Sequence, residues 1–271
     1  MNTMSDKVTI PGLKQMKQDG QKITMLTAYD YPTARVLDEA GIDILLVGDT
    51  LGMVVLGYEN TLPVTMEEML HHTKAVKRGC RRGLIVADMP FLSFNVDSKS
   101  AIENAGRFIK NGGAAAVKLE GASGQILRTI HCLVEAGIAV MGHIGLTPQL
   151  VHQMGGFKVQ GREKKDADLL IESARMLEDA GIFALVLEGI PADLAQSITR
   201  QLSIPTIGIG AGVHCDGQVL VTHDLLGLLD SPKPKFVKQY ASLHATMLAA
   251  IHSFRQEVLE EKFPSEEQSY H

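Results

Sequence analysis

The chain has 271 residues and a formal net charge of only −5 at pH 7. Acidic and basic residues are scattered along it, which argues against a nucleic-acid-binding surface. No stretch approaches the roughly 20 apolar residues of a membrane-spanning helix, and residues 1–12 lack the apolar core of a signal peptide. The three cysteines are too far apart for a zinc site or a disulfide framework. We therefore expect a cytoplasmic protein with no nucleic-acid or membrane partner.

One short pattern recurs four times: a glycine closes a predicted helix, an apolar run follows, and the run stops at a polar, reactive residue. The closing glycines are Gly41, Gly113, Gly137 and Gly181. A glycine after a helix supplies the left-handed cap. A short, non-alternating apolar run is typical of a parallel strand buried on both faces. Because the chain length also matches the roughly 250 residues of such a barrel, we predict an α/β fold of the (β/α)8 TIM-barrel type.

In chain order, the first helix is predicted over Pro11–Gln18 and the first strand over Ile23–Thr27. The second strand ends at Gly48–Thr50, and the third covers Leu84–Ala87. Polar residues end the next three strands, at Glu120, His143 and Glu188. Capping boxes are predicted for two helices, with the pairs Thr65 and Glu68, and Ser100 and Glu103.

The seventh strand is predicted over Pro205–Ile209 and the eighth around Leu220–Thr222. A last helix follows Phe236. No change in composition marks a second domain, so residues 1–271 are predicted to form one barrel domain with an N-terminal helix and a C-terminal helical extension. Residues 256–271 are predicted to be a poorly ordered tail or one that packs between subunits.

Parallel strands end at one rim of a barrel, where barrel enzymes carry out their chemistry. Carboxylates gathered at such a rim repel one another, and a divalent cation removes that cost. Oxygen ligands suit Mg²⁺, which usually takes one or two carboxylates and keeps positions for water and substrate. We predict Asp49 and Asp88 as magnesium ligands, with Glu120 as a third ligand, direct or through water. The alternative for each acid is a cap on the following helix or turn.

The remaining strand-end residues suggest acid–base and anion-binding roles. Lys118 and Glu120 are two residues apart and share a face of their strand. A Schiff-base lysine is one interpretation, but a nearby anion stabilises the ammonium. We therefore favour a fixed cation that holds an oxyanion or carboxylate. Glu188 follows an apolar run, and apolar surroundings make a carboxylate a better general base.

Taken together, these segments resemble the ketopantoate hydroxymethyltransferase family. They occur in the family's order over about residues 8–240, and their co-occurrence is far more specific than any single motif. The C-terminal tail is not covered. The matching segments are Leu26–Tyr31, Val47–Gly52, Thr61–Thr65, Ala87–Phe91, Val117–Gly121, Gly142–Pro148, Gly155–Gly156, Gly161–Arg162, Leu187–Glu188, Ile207–Gly212 and His223–Asp224.

The resemblance implies a barrel of the phosphoenolpyruvate/pyruvate type that uses Mg²⁺. It implies transfer of a hydroxymethyl group from 5,10-methylene-tetrahydrofolate to α-ketoisovalerate (3-methyl-2-oxobutanoate) through a Mg-stabilised enolate. The product would be ketopantoate (2-dehydropantoate), in pantothenate and coenzyme A biosynthesis. The family also forms large homo-oligomers, commonly decamers, and we expect the same here.

The family's roles carry over to matching positions of this chain. Asp49 and Asp88 would bind both metal and substrate, with Glu120 beside the metal. Lys118 and His143 would contact the keto acid, and Glu188 would be the catalytic base. Thr50 would bind the substrate carboxylate, although we expect Ser there. Threonine keeps the hydroxyl but adds a methyl group and a stiffer χ1 torsion.

Three other functions remain open from the sequence alone. The first is a metal-dependent aldolase or lyase acting on a related 2-oxo acid without folate. The second is a catalytically silent barrel that serves as a subunit of an assembly. The third is a nucleotide- or flavin-binding barrel that uses the glycine-rich turn Gly208–Gly212.

Overall fold

Eight parallel strands close into a barrel in sequence order, so each strand pairs with the next and the last pairs with the first. They are seen in a computed structural model, which describes residues 7–156, 158–229 and 234–271. Helices follow each of the first six strands, a loop joins the seventh strand to the eighth, and the predicted (β/α)8 TIM barrel is confirmed. The strands are β1 (Ile23–Thr27), β2 (Ile44–Val47), β3 (Leu84–Asp88), β4 (Ala116–Glu120), β5 (Val140–Gly145), β6 (Ala184–Glu188), β7 (Thr206–Ile209) and β8 (Gly217–Leu220).

The described residues divide into two compact units, with the boundary after Val221. The helices of the barrel unit are α1 (Ile10–Gln18), α2 (Tyr31–Glu39), α3 (Leu51–Val54), α4 (Met66–Gly79), α5 (Ser98–Arg107), α6 (Gly124–Glu135), α7 (Val151–Met154), α8 (Lys164–Asp179) and α9 (Ala192–Gln201). A π-helical turn over Phe108–Gly112 and a 3-10 turn over Pro148–Leu150 complete the unit. The second unit contains α10 (Thr222–Leu226), α11 (Leu243–Leu259) and a 3-10 turn over Glu266–Gln268.

Helix α11 carries no buried residue. It extends into residues 256–271, and the predicted disorder or subunit packing of that tail stays a prediction. The prediction that residues 1–271 form one domain also stays a prediction. Among the described residues, no helix combines the length and apolar character that a membrane crossing requires.

Alternating side chains build two layers of core around the strands. One apolar cluster fills the barrel interior and includes Met25, Val86 and Met141. Leu13 of α1 joins this interior cluster, so the first helix contributes to the inner core. A second cluster lies between the strands and the surrounding helices and includes Val47. The strand faces that carry this interior cluster also carry polar side chains at one rim of the barrel. Those polar side chains therefore point toward the barrel axis.

Local signals explain most element boundaries. The four glycines of the recurring pattern all adopt positive φ angles, as the left-handed cap requires. The capping box of Thr65 and Glu68 is present at the start of α4. The second predicted box is wrong, because Asp97 caps α5 and accepts hydrogen bonds from the backbone and hydroxyl of Ser100. Ser100 therefore lies inside the first turn of the helix.

The predicted position of the eighth strand is also wrong. Strand β8 covers Gly217–Leu220, and Thr222 instead begins α10. At Gly217 a Cβ atom would run into the backbone oxygen of Ile23, so glycine lets β8 pair closely with β1. Val219 is the one residue of this strand in the interior cluster. A strand with so few apolar residues is hard to locate from the sequence.

Asp38 ties the end of α2 to the turn before β3. Its carboxylate accepts backbone hydrogen bonds from Arg81 at 2.9 Å, Arg82 at 2.9 Å and Gly83 at 2.8 Å. Burial raises the pKa of Asp38, but these donors outweigh burial and hold its pKa below the ordinary value. The charged form of this side chain therefore stabilises the fold.

We expect Asp38→Asn to lower the free energy of unfolding at pH 7 by about 2 kcal/mol, because hydrogen bonds to a charged acceptor are lost. A depressed folded pKa contributes stability above the unfolded pKa and loses it as pH falls through the folded pKa. The difference from wild type should be full above about pH 5 and shrink below about pH 4. Urea denaturation across this range measures it.

The neighbouring variant Glu39→Gln is the control, because Glu39 forms an exposed ion pair with Arg35. Such pairs contribute little, so its unfolding curve should match wild type. A loss of stability in Asp38→Asn that did not change with pH would contradict the charge-based explanation.

Candidate active site

Parallel register brings polar side chains of four neighbouring strands to the same rim. Asp88 of β3 pairs with Lys118 of β4, and Glu120 of β4 pairs with His143 of β5. Glu188 ends β6 one step further around the barrel. Each follows the interior-facing positions of its strand, so these side chains point toward the barrel axis. With Asp49 they form what we call the rim cluster: Asp49, Asp88, Lys118, Glu120, His143 and Glu188.

Asp49 reaches the cluster by a different route. Alternation along β2 would place it on the outer face with Val47, which belongs to the outer core. The strand ends at Val47, however, and the chain turns at Gly48. The Asp49 backbone nitrogen then donates to Asp88 Oδ2 at 3.1 Å, and Asp49 is only 2% exposed. The turn after β2, not the strand alternation, therefore places this carboxylate.

Lys118 is the central cation of the rim cluster. Its Nζ lies 2.9 Å from Asp88 Oδ1 and 3.4 Å from His143 Nδ1. Burial lowers the pKa of Lys118, but Asp88, Glu120 and Asp49 outweigh burial, and the pKa is raised above its ordinary value. A Schiff-base lysine needs a depressed pKa. The surroundings of Lys118 thus favour a permanent ammonium group.

His143 bridges two carboxylates. Its Nδ1 lies 3.3 Å from Glu120 Oε1, and its Nε2 lies 3.2 Å from Glu188 Oε2. Burial and the Lys118 ammonium each lower the pKa of His143, but hydrogen bonds to Glu120 and Glu188 outweigh them and raise it to about 9. The raised pKa favours the protonated ring at neutral pH. The sequence suggests purely apolar surroundings for Glu188, but its carboxylate contacts the His143 ring.

Negative charge exceeds positive charge in the rim cluster. Four carboxyl groups face two cationic groups, Lys118 and His143. Burial and the charges of Asp88 and Glu120 raise the pKa of Asp49 well above its usual range. Burial also raises the pKa of Asp88, although Lys118 opposes this. Burial raises the pKa of Glu120 too, but His143, Lys118 and the backbone of Gln149 together outweigh burial and lower it. An added cation would relieve the remaining repulsion.

Thr50 lies at the edge of the site. It precedes the short helix α3, and its side chain makes no capping hydrogen bond there. Its Oγ1 instead lies 3.0 Å from the hydroxyl of Tyr29. Tyr29 is buried, which raises the pKa of its phenol, so the hydroxyl stays protonated. The threonine hydroxyl is thus held beside Asp49 by a neutral partner from the loop after β1.

Gln149 is a site residue that sequence reasoning missed. It lies on the 3-10 turn after β5, is 5% exposed, and donates from Nε2 to Asp49 Oδ2 at 2.8 Å. Its backbone nitrogen donates to Glu120 Oε2 at 3.1 Å. The only sequence signal was its place in the loop after Gly142–Pro148. Nothing in the spacing shows that this loop folds back over the carboxylates.

The carboxylates differ in how many of their oxygens are already engaged. Both oxygens of Glu120 have partners, His143 Nδ1 and Gln149 N. Among the residues that the structure describes, Asp49 Oδ2 accepts a hydrogen bond from Gln149 Nε2. Within the same residues, no three His, Cys, Asp or Glu side chains converge as a ready-made metal cage. The arrangement therefore offers two acidic ligands from the chain, with other positions left to water or substrate.

Comparison with known proteins places this site in a family. Residues 7–266 match the family model described as ketopantoate hydroxymethyltransferase. The chain belongs to the ketopantoate hydroxymethyltransferase family. It is therefore an enzyme, a transferase, as the sequence predicted.

Relatives in this family are similar over nearly their whole length. The chain is 59% identical over 265 residues to 3-methyl-2-oxobutanoate hydroxymethyltransferase of Carboxydothermus hydrogenoformans, covering 98% of this chain and 96% of the relative. It is 57% identical over 267 residues to the enzyme of the same name from Thermoanaerobacter sp. strain X514, covering 98% and 97%. Ketopantoate hydroxymethyltransferases thus align with both the barrel unit and most of the second unit.

A more distant solved structure shares the fold. The crystal structure of 2,3-dimethylmalate lyase, a member of the PEP mutase/isocitrate lyase superfamily, superposes with a TM-score of 0.60 at 14% identity. The alignment covers 96% of this chain and 88% of the lyase. At this identity the similarity concerns the barrel fold alone.

Proposed function

We propose that this enzyme transfers a hydroxymethyl group from 5,10-methylene-tetrahydrofolate to 3-methyl-2-oxobutanoate in the cytoplasm. The product is ketopantoate, an intermediate of pantothenate and coenzyme A biosynthesis. The observation that carries the proposal is the rim cluster, in which a base, two cations and an unbalanced pair of buried aspartates meet at one barrel rim. The names of relatives 55–59% identical to this chain support the acceptor substrate.

Magnesium is the cation that these residues would hold. Asp49 and Asp88 supply hard oxygen ligands and are nearly fully buried. Their pKa values are raised, and an added positive charge would lower them again. Glu120 already bonds His143 and Gln149, which supports the water-mediated version of its predicted role. When bound, the metal would polarise the keto group and stabilise negative charge on its oxygen.

The side chains of the chain position the keto acid and move its proton. The Lys118 ammonium would hold the carboxylate or keto oxygen, and His143 beside it would contact the keto acid. Thr50, fixed by Tyr29, would contact the substrate carboxylate. Glu188 takes the proton from C3, and the electron pair of that C–H bond forms the enolate. The ion pair with His143 Nε2 keeps Glu188 Oε2 in place for this transfer.

Carbon–carbon bond formation then joins C3 to the one-carbon unit. The product carries a hydroxyl on the new carbon, and C3 becomes quaternary, so one water must be consumed overall. Water releases the methylene carbon from folate at the oxidation level of formaldehyde, and the freed folate nitrogens take up protons. C3 attacks this carbon, and the resulting alkoxide takes the proton that Glu188 removed. The base is thereby regenerated.

The central test is deuterium exchange at C3 of 3-methyl-2-oxobutanoate, followed by proton NMR in heavy water without folate. In the presence of Mg²⁺, the wild-type enzyme should exchange the C3 proton for deuterium, and chelation of the metal with EDTA should stop this exchange. Glu188→Gln should lower the exchange rate by about 10²–10⁴-fold, the usual contribution of a general base. Binding of the keto acid should be retained, because the amide keeps the shape of the side chain.

Glu172→Gln is the control, since Glu172 is an exposed acid on α8. It should exchange at the wild-type rate. Undiminished exchange in Glu188→Gln would remove this residue from the base role, and no exchange in a folded wild-type protein would contradict the proposed chemistry.

We also propose a homo-oligomer, a decamer, as the family resemblance implies. Helix α11 supports this because none of its residues is buried, although it carries large apolar side chains such as Ile251 and Phe254. Contiguous exposed apolar surface commonly marks a protein interface. Light scattering should give about ten times the chain mass of 29.4 kDa.

The double variant Ile251→Glu/Phe254→Glu should reduce this mass, because it places charge on the apolar surface of α11. His252→Gln, an exposed polar change on the same helix, should leave it unchanged. A wild-type mass equal to a single chain would contradict the proposal.

A further inference from the structure

Gln149 connects the ends of three strands although it follows a fourth. Its Nε2 donates to Asp49 Oδ2 at 2.8 Å and to the backbone oxygen of Met89 at 3.0 Å. Its backbone nitrogen donates to Glu120 Oε2 at 3.1 Å. Asp49, Met89 and Glu120 follow or end β2, β3 and β4, while Gln149 itself comes after β5. One residue of the loop after β5 therefore contacts three separate parts of the rim.

The orientation of the Gln149 amide follows from its partners. Both Asp49 Oδ2 and the Met89 carbonyl are acceptors, so the NH₂ group must face them and use both of its protons. The amide oxygen, buried on the other side, has no hydrogen-bond partner among the described residues. A flipped amide would set three oxygens against one another. The geometry thus commits this side chain to holding one carboxylate oxygen.

We infer that Gln149 is a positioning residue that fixes the Asp49 carboxylate for metal binding. This inference rests on the proposed function, in which Asp49 and Asp88 hold Mg²⁺. With Oδ2 held by the amide, Asp49 presents its other oxygen, Oδ1, in one orientation. Ligand carboxylates in metal sites are commonly held by such outer hydrogen bonds, and their removal typically weakens metal affinity 10–100-fold.

A purely structural glutamine would behave differently. It would contribute to the stability of the loop, and its loss would lower the melting temperature without changing the dissociation constant for metal. A positioning residue changes that constant and the concentration of Mg²⁺ needed for half-maximal exchange. Saturating metal should then restore the rate, because the base Glu188 does not contact Gln149 in any of its hydrogen bonds.

The test uses Gln149→Met in the full-length protein, because methionine matches the length of glutamine and has no N–H donor. Binding of Mn²⁺ followed by electron paramagnetic resonance, and of Mg²⁺ by calorimetry, should be weakened about 10–100-fold. Deuterium exchange should require more Mg²⁺ and approach the wild-type rate at saturation. Gln153→Met, an exposed change four residues further along the same segment, should bind both metals as wild type does.

Each outcome decides the inference. An unchanged metal dissociation constant in Gln149→Met, or equal weakening in Gln153→Met, overturns it while leaving the proposed function intact. A wild-type protein that binds neither metal overturns the proposed function and this inference with it. If Gln149→Met does not fold, Gln149→Asn keeps the amide but loses the reach of one methylene. It should also weaken metal binding, and an unchanged constant there overturns the assignment.

Discussion

The ion pair between Lys118 and Asp88 determines how the rest of the site is organised. It places an ammonium group inside the barrel rim, where 5% exposure or less leaves little water to screen charge. A single ammonium does not balance the surrounding acids, and the His143 imidazolium supplies only one more positive charge. Removing either positive charge would leave more of the acids uncompensated in a buried setting, where the cost is several kcal/mol. Ion pairs therefore hold the site together, and negative charge remains in excess.

The barrel makes this concentration of charge possible. Parallel register aligns Asp88 with Lys118 and Glu120 with His143, and the apolar interior below them holds the strands that carry these residues. Loops add what strands alone do not provide. The turn after β2 brings in Asp49, and the segment after β5 brings in Gln149. Rigid strands thus supply the charged groups, and the loops complete their hydrogen bonding.

The sequence allowed prediction of the barrel and of the residues that end its strands. Buried parallel strands read as apolar runs, and the glycine caps between them are local signals. The errors arose where the decisive contact is not local. Strand β8 has one interior apolar residue, and the cap of α5 was assigned to Ser100 when Asp97 provides it. Gln149 escaped notice because its partners lie 100 and 29 positions away in the chain.

The most direct test of the charge deficit is calorimetric titration of Mg²⁺ into the wild-type protein at neutral pH, in two buffers with different ionisation enthalpies. If the rim cluster lacks positive charge, Mg²⁺ should bind and release protons from the aspartates whose pKa values are raised. Asp49→Asn and Asp88→Asn should each abolish binding. Failure of the wild-type protein to bind Mg²⁺, or unchanged binding in both variants, would contradict the account.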